Sequence, residues 1–212
     1  MRKILLLRHA AVDAPGGPHR CLGSRTDSPI LPIPDADREA LAALLRRENV
    51  RAVWSSPLLR CRQTAAAIAG ELPVGVAPGL RERDCGTWDG LSFDEIRSRF
   101  PEEYARRGAD PALPPPGGEP PDMAAARALE ALRELAGRTE GSFAAVAHAG
   151  VNRALLCALL GRPFAEMRAL PQPYLCVNVL LFDGTAFSAA AVGLPPGAPE
   201  GLPQGGNHEK AL

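Results

Sequence analysis

Arg8 and His9 follow directly on four apolar residues, Ile4-Leu5-Leu6-Leu7. An apolar run closed by a charged pair reads as a strand buried on both faces whose carboxyl end opens into a site. A guanidinium beside an imidazole can seat an anion next to a nucleophile. His148 occupies the same place behind Phe143-Ala144-Ala145-Val146-Ala147 and is followed by Ala149-Gly150. Ligands of open α/β sheets collect at the carboxyl ends of strands, so two histidine-tipped strand ends predict an active site.

Phosphoryl transfer through a side chain needs a nucleophile, positive groups around the equatorial oxygens and an acid for the leaving oxygen. His9 can be the nucleophile, because neutral imidazole is available near neutral pH. Arg8 can fork two phosphate oxygens. Arg60 falls in the first turns of a helix expected to start at Ser56-Pro57, close to free backbone N–H groups and the positive helix end. A protonated His148 would donate to another oxygen, and a helix beginning near Val151 would aim its N-terminus at the same place. Glu82, in Leu80-Arg81-Glu82-Arg83-Asp84, is the candidate general acid, with Asp84 and Asp89 as competitors.

The elements that must position these residues alternate. Residues 3–7 read as a strand, and the Pro/Gly-rich stretch 11–34 as a long loop of the kind that often carries function. Asp35 is placed to cap a helix over 36–47 with Leu41, Leu44 and Leu45 inward. Residues 50–54 form a second strand. Ser56 at N-cap and Pro57 at N1 open a helix to Gly70, with Leu58, Cys61, Ala65 and Ile68 on one stripe. Residues 74–76 suit a short strand. Ser92 to Glu95 is a capping box for a helix near 93–100, and 111–121 is a Pro-rich loop. Asp122 can cap a helix 123–136 ended by Gly137. A strand 143–147, a helix 151–160 ended by Gly161, and strands 175–182 and 185–192 around Asp183-Gly184 complete the order. This order predicts one domain over 1–192, a three-layer α/β/α sandwich with a mostly parallel, mixed sheet. Residues 193–212 read as a disordered Gly/Pro-rich tail.

Composition narrows the function classes. The 212 residues suit one domain with a substantial core. Lys+Arg and Asp+Glu both count 24, so the formal net charge is zero. That removes any bulk electrostatic case for nucleic acid or an anionic membrane. The N-terminal apolar stretch is too short for a secretory signal, which places the chain in the cytoplasm. Five widely spaced cysteines without a CxxC pair argue against disulfides and structural zinc. Trp54 and Trp88 read as packing residues, His19 and His208 as solvated, and Arg62 as a surface residue. Tyr174 and Asn178 could face the site from the last strands.

These residues together resemble the histidine phosphatase superfamily, also called phosphoglycerate-mutase-like. Its opening strand and Arg-His-Gly are similar to Leu5-Leu6-Leu7-Arg8-His9-Ala10, with alanine in place of glycine. Its later motifs resemble Ser55-Ser56-Pro57-Leu58-Leu59-Arg60, Leu80-Arg81-Glu82 with Gly86-Thr87-Trp88-Asp89-Gly90, and Val146-Ala147-His148-Ala149-Gly150. Pro116-Gly117-Gly118-Glu119 is similar to the segment before a family helix. Four motifs in the family's order make the resemblance specific. The resemblance implies that His9 is phosphorylated, that Arg8, Arg60 and His148 bind the phosphoryl group, and that Glu82 donates the proton. It implies no metal and no cofactor. It also places the loop after the first motif against the substrate, making Arg20, Gly23, Thr26 and Ala149 candidate substrate contacts.

The expected activity is hydrolysis of a small phosphomonoester, with the α-ribazole phosphatase and broad phosphomonoesterase branches the nearest in look. A phosphoglycerate-mutase-type transferase and a non-catalytic phospho-ligand module are the alternatives. The expected partner is a small phosphoester, with no nucleic acid or membrane, on a monomer or homodimer.

Overall fold

The computed structural model describes residues 1–14, 17 and 19–197. Its sheet has six strands, in the order β3-β2-β4-β1-β5-β6. β1 (Arg2–Arg8), β2 (Val50–Ser55), β3 (Val74–Val76) and β4 (Ser142–Ala147) run parallel, β5 (Val177–Phe182) runs antiparallel to β1, and β6 (Phe187–Leu194) pairs antiparallel with β5. The sheet is therefore mixed and mostly parallel, as its strand–helix alternation demands.

The central strands are apolar on both faces because helices cover both. Along β1 the side chains alternate. Ile4 and Leu6 join a core with Trp54, Phe143 and the helices α5 (Pro121–Arg138) and α6 (Ala149–Leu160). Leu5 and Leu7 join a second core with α1 (Asp35–Arg47) and α2 (Leu59–Ala69). Each fully buried leucine contributes about 1.5–3 kcal/mol, and a one-residue slip of β1 would exchange the two sets.

Several element ends differ from expectation. Asp35 and Asp122 lie in the first turns of their helices, where their charge suits the helix dipole, and Pro34 and Pro120 hold the N-cap places. Gly137 does not stop α5, which continues to Arg138, whose guanidinium lies over the buried Trp54 ring. α2 starts at Leu59, not at Pro57. Ser56 still accepts from Leu58 N at 3.3 Å, while the Leu59 N–H donates to Asp27 from the long loop. α6 starts at Ala149, two residues early, and ends as expected at Gly161 in the left-handed region. The last turn spans four residues, because Asp183 Oδ1 accepts from Thr185 N and Ala186 N. Strand β6 runs to Leu194, so the tail does not begin at 193; residues 198–212, with His208, lie outside the described residues.

The capping box at Ser92 and Glu95 opens α3 (Phe93–Arg99) with both reciprocal bonds. α4 (Pro101–Ala109) was not anticipated, since it buries no residue. Pro101 at its start, Glu102 and Glu103 in its first turn and Arg106 and Arg107 in its last are its signals. Trp88 is buried and leans on Phe100 and Tyr104. No helix among the described residues is long and apolar enough to cross a membrane.

Candidate active site

The β1–β4 register pairs Arg8 with Ala147. The next residue on each strand is a histidine, so parallel pairing alone sets His9 beside His148. Their ring centroids are 5.1 Å apart, edge to face. His9 Nδ1 sits 2.7 Å from the carbonyl of Ala10. A carbonyl only accepts, so Nδ1 carries the hydrogen and Nε2 keeps its lone pair. Burial, then the neighbouring Arg60, lowers the His9 pKa to about 3, so the ring is neutral at pH 7. Ala10 has no positive φ and packs into the α1–α2 core, so its methyl does not strain the turn that glycine would relax. Its N–H donates to Thr64 Oγ1.

Arg60 and His148 form a buried pair. Arg60 Nε donates to His148 Nδ1 at 3.1 Å, Nη1 to the Thr26 carbonyl and Nη2 to the Gly23 carbonyl. An Nδ1 that accepts leaves the hydrogen on Nε2, which donates to Ser56 Oγ at 2.7 Å. The thiol of Cys61 lies 3.3 Å from the same nitrogen. His148 is fully buried, and burial first, then Arg60, holds its pKa well below the ordinary value. The condition of a protonated His148 is therefore not met here. The ring is neutral and donates through Nε2, and Ser56, expected as a helix cap, holds it.

Arg8 is fixed from the opposite side. Its Nη1 donates to the Gln172 carbonyl at 2.5 Å, and its guanidinium lies 3.8 Å from the Tyr174 ring centroid. Tyr174 also stands 5.6 Å from the His9 ring, so it faces the site. Asn178 does not. Its amide bonds Gln172 and the Leu6 carbonyl, and it belongs to a buried amide cluster with Asn152 that anchors Gln172. Gln172 gave no sequence signal, because its role depends on a contact 164 residues away.

Glu82 lies across the N-terminus of α6. Its Oε2 accepts from Gly150 N at 2.9 Å and its Oε1 from Val151 N at 2.8 Å and Arg83 N at 2.8 Å. Ala149, the first residue of α6, joins this turn to His148. A Cβ on Gly150 would lie 2.6 Å from Glu82 Oε1, so the glycine makes room for the carboxylate. The two competing carboxylates are engaged elsewhere. Asp84 pairs with Arg25 and accepts from Gly86 N. Asp89 accepts from Gly23 N, Arg25 N and Thr26 Oγ1. Asp89 thus folds the loop that presents the Gly23 and Thr26 carbonyls to Arg60. Arg20 donates to the Gly90 carbonyl, with Glu95 at 3.8 Å. Arg62 and His19 are exposed.

Arg127 is a residue that sequence reasoning missed. From α5 it forms a two-pronged pair with Glu119 and donates to the carbonyls of Gly79, Arg81 and Glu82. It clamps the segment that carries Glu82. A lone arginine on a helix face carries no sign of this. Among the described residues, no group of three or more His, Cys, Asp or Glu side chains converges as a metal site.

The family model for the histidine phosphatase superfamily (branch 1) matches residues 4–194. A bifunctional protein of Mycobacterium tuberculosis is 46% identical over 82 residues, covering 38% of this chain. The chain spans only 22% of the length of that relative. A glucosyl-3-phosphoglycerate phosphatase of Mycolicibacterium vanbaalenii is 28% identical over 77% of this chain and 76% of its own. Among solved structures, Bacillus stearothermophilus YhfR superposes with a TM-score of 0.81 at 28% identity, over 91% of this chain and 96% of its own. An alpha-ribazole phosphatase from Shigella flexneri, at 21% identity and a TM-score of 0.74 over 90% of this chain and 96% of its own, shares the fold. The four motifs, the paired strand-end histidines and a match running from the first strand to the last agree: the chain belongs to the histidine phosphatase superfamily, branch 1.

Proposed function

We propose that this chain hydrolyses phosphomonoesters through a phosphohistidine on His9. One observation carries the reading. His9 is a neutral, buried imidazole whose Nδ1 is tied to a carbonyl, so its Nε2 lone pair stays available beside Arg8, Arg60 and His148. The phosphoryl oxygens accept from the N–H groups of Arg8 and Arg60 that the Gln172, Gly23 and Thr26 carbonyls leave open. In the first step Nε2 attacks phosphorus, and the P–O bond to the alcohol breaks. The leaving oxygen takes a proton from the Glu82 carboxyl. In the second step water attacks phosphorus, its proton returns to Glu82, and inorganic phosphate leaves His9. Side chains supply the nucleophile, the positive charge and the acid, so turnover is expected to survive a chelator. The phosphatase relative among the curated proteins supports the reading without naming this chain's substrate.

The experiment separates nucleophile from acid. His9→Ala is expected to abolish acid-labile labelling by a radioactive phosphoester and to lower kcat at least about 10³-fold. Glu82→Gln is expected to lower kcat about 10²–10⁴-fold with an alkyl phosphate, the usual span for a general acid. With p-nitrophenyl phosphate, whose leaving group needs little protonation, the loss should be far smaller. Equal losses with the two esters would remove Glu82 from the role of proton donor.

A further inference from the structure

A cavity of about 520 Å³ lies beside Arg153, whose charge is felt by Arg8 and Glu82 of the catalytic cluster. Trp88, Phe93 and Tyr104 line it together with three arginines, Arg107, Arg153 and Arg168, and no carboxylate faces it. Two connections tie it to the site. Arg153 Nε donates to the Leu170 carbonyl, and Arg8 Nη1 to the Gln172 carbonyl. Those carbonyls are two residues apart on one segment, a span of at most about 7 Å. Arg153 also belongs to α6, close behind Gly150 and Val151, whose N–H groups hold Glu82.

The charge on this wall is only partly compensated, by Glu82 acting on Arg153 without pairing with it. Among the described residues, none of the three guanidinium groups pairs with a carboxylate. Arg107 donates to the carbonyls of Pro111 and Leu113, and Arg168 to those of Gly108 and Arg107. Carbonyls satisfy the N–H donors and leave the positive charge in place. Arg107 and Arg153 are held below the ordinary arginine range, chiefly by burial and then by neighbouring arginines. Arg107 and Arg153 are half-buried without an ion-paired counter-charge, which is costly, and an anion carried by a ligand would relieve that cost.

We infer that this cavity is a second anion subsite. The substrate is a phosphomonoester whose carbon skeleton carries a further carboxylate or phosphate. Its ester phosphoryl group sits at His9, its skeleton runs along Trp88 and Tyr104, and its second anion rests among Arg107, Arg153 and Arg168. The inference extends the phosphatase reading and names the substrate class for the same site.

Matched pairs of compounds test it. 3-Phosphoglycerate against glycerol 3-phosphate isolates a carboxylate. Propane-1,3-diol bisphosphate against its monophosphate isolates a second phosphate. The compound with the extra anion is expected to have a kcat/KM at least about 10-fold higher in one pair, the size of one charge-assisted hydrogen bond, and the pair that responds identifies the anion. Arg153→Gln and Arg168→Gln should each bring that ratio down about 10-fold, and Arg153→Lys should keep most of it. Equal kcat/KM within both pairs, or a ratio unmoved by both glutamine variants, overturns the subsite. Calorimetric affinities of His9→Ala for the same four compounds read the subsite without turnover. A retained affinity preference with no hydrolysis by the wild type would defeat the phosphatase reading alone, and equal affinities would defeat the subsite alone.

Discussion

The His9 imidazole is buried in a cluster of positive charge, and this couples its protonation to folding. Unfolded, it takes a proton near the ordinary histidine value; folded, only near pH 3. Between those values the unfolded chain binds more protons, so stability rises with pH there. The stability is complete above about pH 6.5 and is lost as pH falls toward 3. His148 acts in the same direction. The urea midpoint of the wild type should therefore fall between pH 7 and pH 4, and His9→Asn should fall less. Identical slopes in the two proteins would show that His9 does not titrate in this range. These two histidines were legible in the sequence because each ends an apolar strand, and parallel pairing then joins them. Arg8, Arg60 and Glu82 followed from their motifs. What holds them was not legible. Ser56 under His148, Gln172 under Arg8 and Arg127 behind Glu82 each act through a contact distant in sequence, between residue types that ordinarily serve elsewhere.

Between residue and whole, loops and helix ends set the site's tolerance. Strands and buried helices were readable from apolar periodicity, and the capping box placed the start of α3, whereas the starts of α2 and α6 were misplaced because side chains from other segments compete for the caps. Asp27 takes the first N–H of α2 and Glu82 takes those of α6. Gly86 shows how tightly the Glu82 loop is built. It has φ +55°, and a Cβ there would run into the carbonyl of Pro116 and the backbone of Gly117 and Gly118. Gly86→Ala is expected to cost about 1–3 kcal/mol from backbone conformation alone, with further loss from the clash, read as a lower urea midpoint. Asp89→Ala tests the facing loop, because it strips the acceptor from Gly23 N, Arg25 N and Thr26 Oγ1. It should cost roughly 1–3 kcal/mol in stability. It should also lower kcat/KM, since the loop that frames Arg60 loosens. Wild-type kcat/KM in Asp89→Ala would mean that Arg60 holds its place without that loop.

At the scale of the whole molecule, the balance of 24 basic and 24 acidic residues conceals a strong local asymmetry. Arg8, Arg83, Arg107 and Arg153 surround one end of the sheet, and burial lowers the pKa of each. Arg8 and Arg83 each keep a buried Nε without a hydrogen-bond partner. A zero net charge gives no bulk electrostatic case for a polyanionic partner, and composition cannot reveal that the fold gathers arginines from β1, the Glu82 loop, α4 and α6 around one place. Such a cluster strains the folded state, and a bound dianion relieves it. Ligand binding to the native state stabilises by about 2.7 kcal/mol at a hundredfold excess over Kd. For a domain of this size each kcal/mol is worth roughly 2–4 °C, so saturating inorganic phosphate should raise the melting temperature by about 5–10 °C. Chloride at the same ionic strength only screens the cluster from outside and should move it by far less. Arg8→Gln should lose most of the phosphate shift, because one arm of the clamp is gone. Equal shifts with phosphate and chloride, or a full phosphate shift in Arg8→Gln, would show that the arginines act as a diffuse field rather than as a built phosphoryl seat.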